Sequence, residues 1–104
     1  MNDWLKVCNF FDIEPEDLIV KTIKDTKIAI YRGPNDELYA TAGTCTHEQV
    51  SLEDGLVTDY IIECPLHNGR FDYRTGEPKS PPACVSLKTY EVKQEANEIY
   101  IYFK

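Results

Sequence analysis

Two short runs, Cys45-Thr46-His47 and Cys64-Pro65-Leu66-His67, constrain this chain more than anything else in it. Sixteen residues separate them, and they hold both histidines of the protein. Each run offers one thiol and one imidazole, side chains suited to transition metals. A fold that uses them must bring two loops together. The four cysteines, Cys8, Cys45, Cys64 and Cys84, would also allow two disulfides. Against that pairing, residues 1–10 (MNDWLKVCNF) show no basic segment leading into an apolar one, so no secretion signal is expected. Where thiols stay reduced, cysteines with histidine neighbours favour metal over disulfide.

The chain has 104 residues, which suits one domain spanning 1–104. It shows no linker, repeat or low-complexity segment. No apolar run approaches the length of a membrane-spanning helix. The expectation is a soluble, cytoplasmic protein with no membrane partner. A net charge of −7 repels nucleic acid and anionic lipid, and favours basic patches on a protein partner. Acidic pairs such as Glu16-Asp17 and Glu53-Asp54 sit in polar turns, so solvated surface is expected there rather than catalysis.

Short alternating runs closed by turn residues dominate the pattern. Leu5 and Val7 face away from Trp4 and Lys6 in a first strand. Residues 10–17 form a turn or one helical turn around Pro15. Leu18, Val20 and Ile23 mark a second strand, ended by Asp25-Thr26. Ile28 and Ile30 alternate with Ala29 and Tyr31, and after the turn at residues 33–36, Leu38, Ala40 and Ala42 alternate with Tyr39 and Thr41. Residues 48–55 are polar and loop-like. Gly55 opens a strand pair, with 59–63 leading into Cys64; a short strand follows over 70–73, then a Pro-rich segment (EPKSPPACV), a strand through residues 89–93, a turn at 95–97 and a last strand with Ile99, Ile101 and Phe103 on one face. This pattern predicts an all-β, antiparallel sandwich or barrel.

A structural zinc site of two Cys and two His normally spaces its ligands as C-x2–4-C and H-x3–5-H. Here Cys and His are mixed within each run, which favours iron–sulfur chemistry. The runs resemble the C-x-H…C-x-x-H motif of Rieske iron–sulfur proteins. Gly69-Arg70-Phe71-Asp72, the Pro81-Pro82 segment and Thr89-Tyr90-Glu91-Val92 extend the likeness. From Trp4 to the last strand, the chain resembles the Rieske-type ferredoxins of bacterial multicomponent ring-hydroxylating oxygenase systems. Asn68, where Gly is common, and Gln49-Val50, where small residues are common, are the departures.

That resemblance implies an antiparallel Rieske-type β-sandwich with a small cluster-binding subdomain of two loops, roughly residues 43–84. It implies one [2Fe–2S] cluster per chain, with Cys45 and Cys64 on one iron and His47 and His67 on the other. The protein would be an electron carrier and not an enzyme, and a monomer. It would take electrons from an NAD(P)H-dependent flavoprotein ferredoxin reductase and pass them to a terminal Rieske non-haem iron oxygenase of aromatic hydrocarbon catabolism. A terminal oxygenase needs a further 2-His-1-carboxylate iron site, and both histidines are already committed. No G-x-G-x-x-G marks a dinucleotide site. Two alternatives stand beside this reading: a Rieske-like small subunit of an NADH-dependent nitrite reductase, and a zinc-stabilised binding module.

High-potential Rieske proteins of respiratory complexes clasp their loops with a disulfide, at positions held here by Val50 and Leu66. They also place hydroxyl donors where this chain has Gly69 and Phe71. Fewer donors to sulfur imply a lower potential. Glu48, Gln49, Leu66, Asn68, Pro81 and Pro82 would surround the imidazoles as a docking face. Cys8 is expected as a buried structural thiol and Cys84 as loop packing.

Overall fold

The computed structural model describes residues 3–46, 50–65, 69–80 and 85–103. In chain order the strands are β1 (Asp3–Asn9), β2 (Asp17–Ile23), β3 (Thr26–Arg32), β4 (Leu38–Ala42), β5 (Leu56–Thr58), β6 (Ile61–Glu63), β7 (Arg70–Asp72), β8 (Glu77–Ser80), β9 (Thr89–Tyr90), β10 (Val92–Glu95) and β11 (Glu98–Phe103). They form three antiparallel sheets, ordered β1-β11-β10, β2-β3-β4-β9 and β5-β6-β7-β8. Two 3₁₀ turns, Phe10–Asp12 and Leu52–Asp54, complete the described elements. The all-β, antiparallel expectation holds.

Strand β3 explains why the sheets stack. Ile28, Ala29, Ile30 and Tyr31 are all fully buried. Successive side chains of a strand point to opposite faces, so each pair serves a different core. Ile28 and Ile30 join Ile13, Ala40, Ile99 and Ile101 beneath the β1-β11-β10 sheet. Ala29 and Tyr31 join Leu52, Ile62, Phe71 and Tyr73 beneath the β5–β8 sheet. The β2-β3-β4-β9 sheet is therefore the middle layer, covered on both faces.

Four local expectations change. The β2–β3 turn is Lys24-Asp25, with φ of 51° and 65°, and Thr26 already pairs with Ile23; a tight hairpin with both central residues left-handed matches the strand twist. The turn before β2 is a 3₁₀ turn at Phe10–Asp12, ahead of Pro15, and Ile13 closes it in the core. The Pro-rich segment starts as strand β8, whose Pro78 stands opposite Phe71 at a register shift on the sheet edge, where a missing N–H costs no ladder bond. Residues 89–93 are not one strand: Thr89-Tyr90 pairs with β4, while Val92 onward pairs with β11.

A further irregularity sits in β1. Lys6 pairs with Tyr100 but Cys8 with Ile99, a bulge at Val7 that turns Cys8 inward. The buried thiol is pushed from its ordinary 9.0 up to about 11, mainly by desolvation and then by Asp12. The folded chain thus keeps a proton that the unfolded chain releases. Stability from this source is complete below pH 9 and is lost as pH rises towards about 11. Urea midpoints should fall across that window, and Cys8→Ala should flatten the fall. Equal slopes in the two proteins would remove Cys8 as its cause.

Candidate metal centre

The two ligand runs sit in two hairpins of the same construction. Thr44 bridges Ser51, and inside that bridge the Cys45 N–H donates to the Val50 carbonyl at 2.7 Å. Glu63 pairs with Arg70, and inside that pair the Cys64 N–H donates to the Gly69 carbonyl at 2.7 Å. Each hairpin frames a six-residue loop, 45–50 or 64–69, whose first residue is a cysteine. Histidine follows at the third place in one loop and the fourth in the other.

Both cysteines are buried and lie in one apolar cluster with Leu52, Ile62, Phe71 and Tyr73. The structure thus brings together the two predicted thiol ligands. His47 and His67 lie outside the described residues, as do Glu48, Gln49, Leu66, Asn68, Pro81, Pro82 and Cys84. Among the described residues no three Cys, His, Asp or Glu form a metal site on their own. The frame thus offers two buried sulfurs, and His47 and His67 of the same two runs would have to add nitrogen. That mixed set fits a [2Fe–2S] group with two Cys and two His.

The first hairpin is seated on β3 and on the second hairpin. Gly43 N–H donates to the Lys27 carbonyl and Leu52 N–H to the Gly43 carbonyl, each at 2.8 Å. Gly55 then passes so close to β6 that a Cβ there would stand 2.6 Å from the Glu63 carbonyl oxygen. Glycine at this point lets the 3₁₀ turn abut the strand leading to Cys64. Leu52 of that turn, in a stretch expected to be plain loop, is fully buried.

A group of tyrosines joins this unit to the middle sheet. The Tyr31 and Tyr73 rings stack at 4.3 Å and 4°. The Tyr31 hydroxyl meets Thr41 Oγ1 at 2.9 Å, and the Tyr73 hydroxyl donates to the Asp59 carbonyl at 2.5 Å. The Tyr60 hydroxyl donates to Glu37 Oε2, which holds the Glu37 carboxyl below its usual range. Arg74 lies over the Tyr60 ring at 4.1 Å and grips Asp72 with bonds of 3.1 and 2.8 Å. Hydrogen bonding to Arg74 holds the Asp72 carboxyl low.

One further residue escaped the sequence reading. Thr46 Oγ1 donates to the Val85 carbonyl at 2.7 Å, tying the first loop to the chain that returns from the proline segment. Two residues on, the Leu87 N–H donates to the Gly76 carbonyl at 2.8 Å. Thr46→Val keeps the shape and removes the tie. We expect it to lose iron to a chelator several-fold faster than wild type, with Thr46→Ser restoring retention; equal rates for all three would assign the hydroxyl no part.

Residues 3–91 match the family model of the Rieske [2Fe-2S] domain, and the chain belongs to that family. Among its relatives is ferredoxin CarAc of Metapseudomonas resinovorans, 40% identical over 99 residues, with 94% of this chain and 92% of that one covered. Another is the ferredoxin component of a naphthalene 1,2-dioxygenase system of Pseudomonas aeruginosa, 36% identical over 98 residues, covering 94% and 93%. A solved complex of reduced oxygenase and oxidised ferredoxin in carbazole 1,9a-dioxygenase contains a chain that superposes with a TM-score of 0.87 at 39% identity, covering 95% of this chain and 92% of that one. A protein described as a nitrite reductase NADPH small subunit shares the fold, with a TM-score of 0.83 at 20% identity, covering 98% of this chain and 99% of that one. Within the family, this chain is a ferredoxin, an electron carrier rather than a catalytic enzyme, and its cofactor is a Rieske-type [2Fe–2S] cluster. Among the described residues no helix is long and apolar enough to cross a membrane.

Proposed function

We propose that Cys45 and Cys64 bind one iron and His47 and His67 the other in a single cluster per chain, and that this cytoplasmic, monomeric, one-domain protein carries electrons from an NAD(P)H-dependent flavoprotein ferredoxin reductase to a terminal Rieske oxygenase that hydroxylates aromatic rings. The observation that carries the ligand assignment is the matched pair of hairpins, each opening on a buried cysteine. Relatives named as ferredoxin components of dioxygenase systems support the partners.

When bound, the cluster supplies a one-electron redox couple. The protein's part is to hold it and govern its surroundings. Cys45 and Cys64 must bind as thiolates, and their burial among Leu52, Ile62 and Phe71 keeps water from that side. The closure bonds to Val50 and Gly69 hold the main chain at both cysteines, which would limit rearrangement of the frame when an electron is gained or lost. Imidazoles within the loops would face the partner, where docking would be small and transient.

Phe71 is fully buried in the same cluster as both cysteines and carries no hydroxyl. The midpoint potential should therefore fall towards the low end of the Rieske range of about −150 to +300 mV, and a value above about +100 mV would contradict the reading. The decisive experiment is reconstitution with purified reductase and oxygenase. NAD(P)H-driven hydroxylation should depend on this chain, and its absence with every compatible pair would refute the assignment. Iron with labile sulfide excludes the zinc module. Stable co-purification with a sirohaem subunit would point instead to a nitrite reductase.

A further inference from the structure

Three sheets present six edges, and among the described residues five of them are blunted. β1 carries the bulge at Val7. β8 carries Pro78 and a register shift. β9, β5 and β10 run for only two, three and four residues, and β10 ends in Lys93, Gln94 and Glu95. Such devices keep a sheet from taking on another strand. β2 lacks them. It runs for seven residues without proline or glycine, and its register against β3 is unbroken from Asp17↔Arg32 to Ile23↔Thr26. Ile23 and Thr26 flank a two-residue turn and exchange hydrogen bonds, and bonded pairs then alternate along the ladder. Asp17, Ile19, Lys21 and Ile23 therefore bond to β3, while the main-chain groups of Leu18, Val20 and Thr22 point off the sheet. Asp17 Oδ1 accepts the Leu18 N–H at 2.8 Å, as a donor with no strand beside it requires. Val20 and Thr22 carry the outward groups that a further strand would meet.

A groove of about 450 Å³ runs along this edge, lined by Asp12, Leu18, Ile19, Val20, Lys21 and Glu53. Leu18 and Val20 face the layer that holds Leu52, and Ile19 faces the layer that holds Ile13. Asp12, next to Ile13, and Glu53, next to Leu52, therefore border the groove on opposite sides. Two copies paired edge to edge would set each acidic border against its own kind, so a second copy is a poor occupant. We propose that β2 is a docking edge for an extended segment of a partner protein in which lysine or arginine alternates with apolar residues. Main-chain bonds to Val20 and Thr22 hold the segment. Directly opposite residues of paired strands share a face. Basic residues opposite Leu18 and Val20 thus reach the side of Glu53 and Asp54, both exposed, and an apolar residue opposite Ile19 covers it. Lys21, the basic residue of the lining, lies on the Ile19 side and leaves that acidic side to the partner. The 3₁₀ turn Leu52–Asp54 follows directly on the hairpin that opens on Cys45, so a partner gripped here is kept beside that loop. The docking edge is independent of which residues bind iron.

The experiment titrates the full, cluster-loaded chain into a fluorescein-labelled peptide as long as β2 that alternates lysine with valine, and reads anisotropy. Wild type should bind it saturably and should not bind a peptide that alternates glutamate with valine. Val20→Pro removes an outward N–H but no ladder bond, and it should weaken binding several-fold. Glu53→Lys should do the same through charge. Glu95→Lys makes the same charge change on the β10 edge and should bind as wild type does. Hydrogen exchange at Val20 and Thr22 should slow several-fold when the lysine peptide is bound. The docking edge is excluded if wild type fails to bind this peptide, if Val20→Pro binds it as well as wild type, or if Glu95→Lys weakens binding as much as Glu53→Lys, which would mean attraction to net charge alone. Should Val20→Pro fold poorly by circular dichroism, Thr22→Pro, at the exposed outward position next along the strand, decides by the same criteria. Self-association in sedimentation equilibrium that the proline variant abolishes would assign the edge to a second copy and overturn the partner segment.

Discussion

Gly76→Ala should destabilise this protein by about 3 kcal/mol or more, a large share of the roughly 5–15 kcal/mol that holds a domain together. Two independent facts set the size. The residue has φ of +81°, and a Cβ there would stand 2.0 Å from the Leu87 carbonyl oxygen. The neighbour is backbone, so no side chain can swing aside to relieve the overlap. Both main-chain groups of Gly76 are also engaged: its N–H donates to the Asp72 carbonyl at 2.7 Å and its carbonyl accepts from Leu87 at 2.8 Å. Leu87 belongs to the cluster that buries Cys45 and Cys64. Moving the two strands of chain apart should therefore loosen the cysteines as well. Thermal unfolding should drop by about 12 °C or more for a domain of this size, and purified protein should carry less iron. A shift of less than about 3 °C would show that the crossing yields at little cost.

His67→Cys should lower the midpoint potential by on the order of 100 mV and cut delivery to the oxygenase in proportion. The change replaces a neutral imidazole by a thiolate, which adds one negative charge and disfavours another electron. Sulfur-only clusters of plant-type ferredoxins lie near about −400 mV for this reason. The variant should keep iron, because thiolate is itself a competent ligand. Protein-film voltammetry and coupled turnover with reductase and oxygenase check both halves. Unchanged potential and turnover would remove His67 from the site.

Much of this was legible in the residues, for reasons that differ from place to place. Cys45 and Cys64 stood out in the sequence because the short spacing of Cys and His within each run is itself the signal, and the structure buries both in one cluster. β3 was legible as a strand from its Ile and Ala/Tyr alternation. That both of its faces are interior was not, since a strand covered twice differs from a half-buried one only through its neighbours. The bulge at Val7 was invisible because Leu5 and Val7 alternate as an unbroken strand would, and only the register against β11 displaces Cys8 inward. Strand β8 was hidden by Pro78, which ordinarily argues against a strand and is tolerated here on an edge. Leu52 looked like one apolar residue in a polar loop. The Thr46 tie spans 39 residues of sequence, and a hydrogen bond of that reach is decided by the fold, not by any local pattern.

The chain leaves the middle sheet at Ala42 and re-enters it at Thr89, and the two strands concerned are neighbours. Ala40 faces Tyr90, Thr41 faces Thr89, and the Ala42 N–H donates to the Lys88 carbonyl at 2.8 Å. Everything that frames the cysteines, residues 43–88, therefore begins and ends at one doorway. Such an excursion behaves as a cassette. Its loops can be lengthened, recharged or exchanged with those of another carrier without re-registering a strand of the frame, provided the tyrosine seam and the Gly76–Leu87 crossing are carried with it. That separability would let the residues framing the cysteines change while the chassis that folds them is kept.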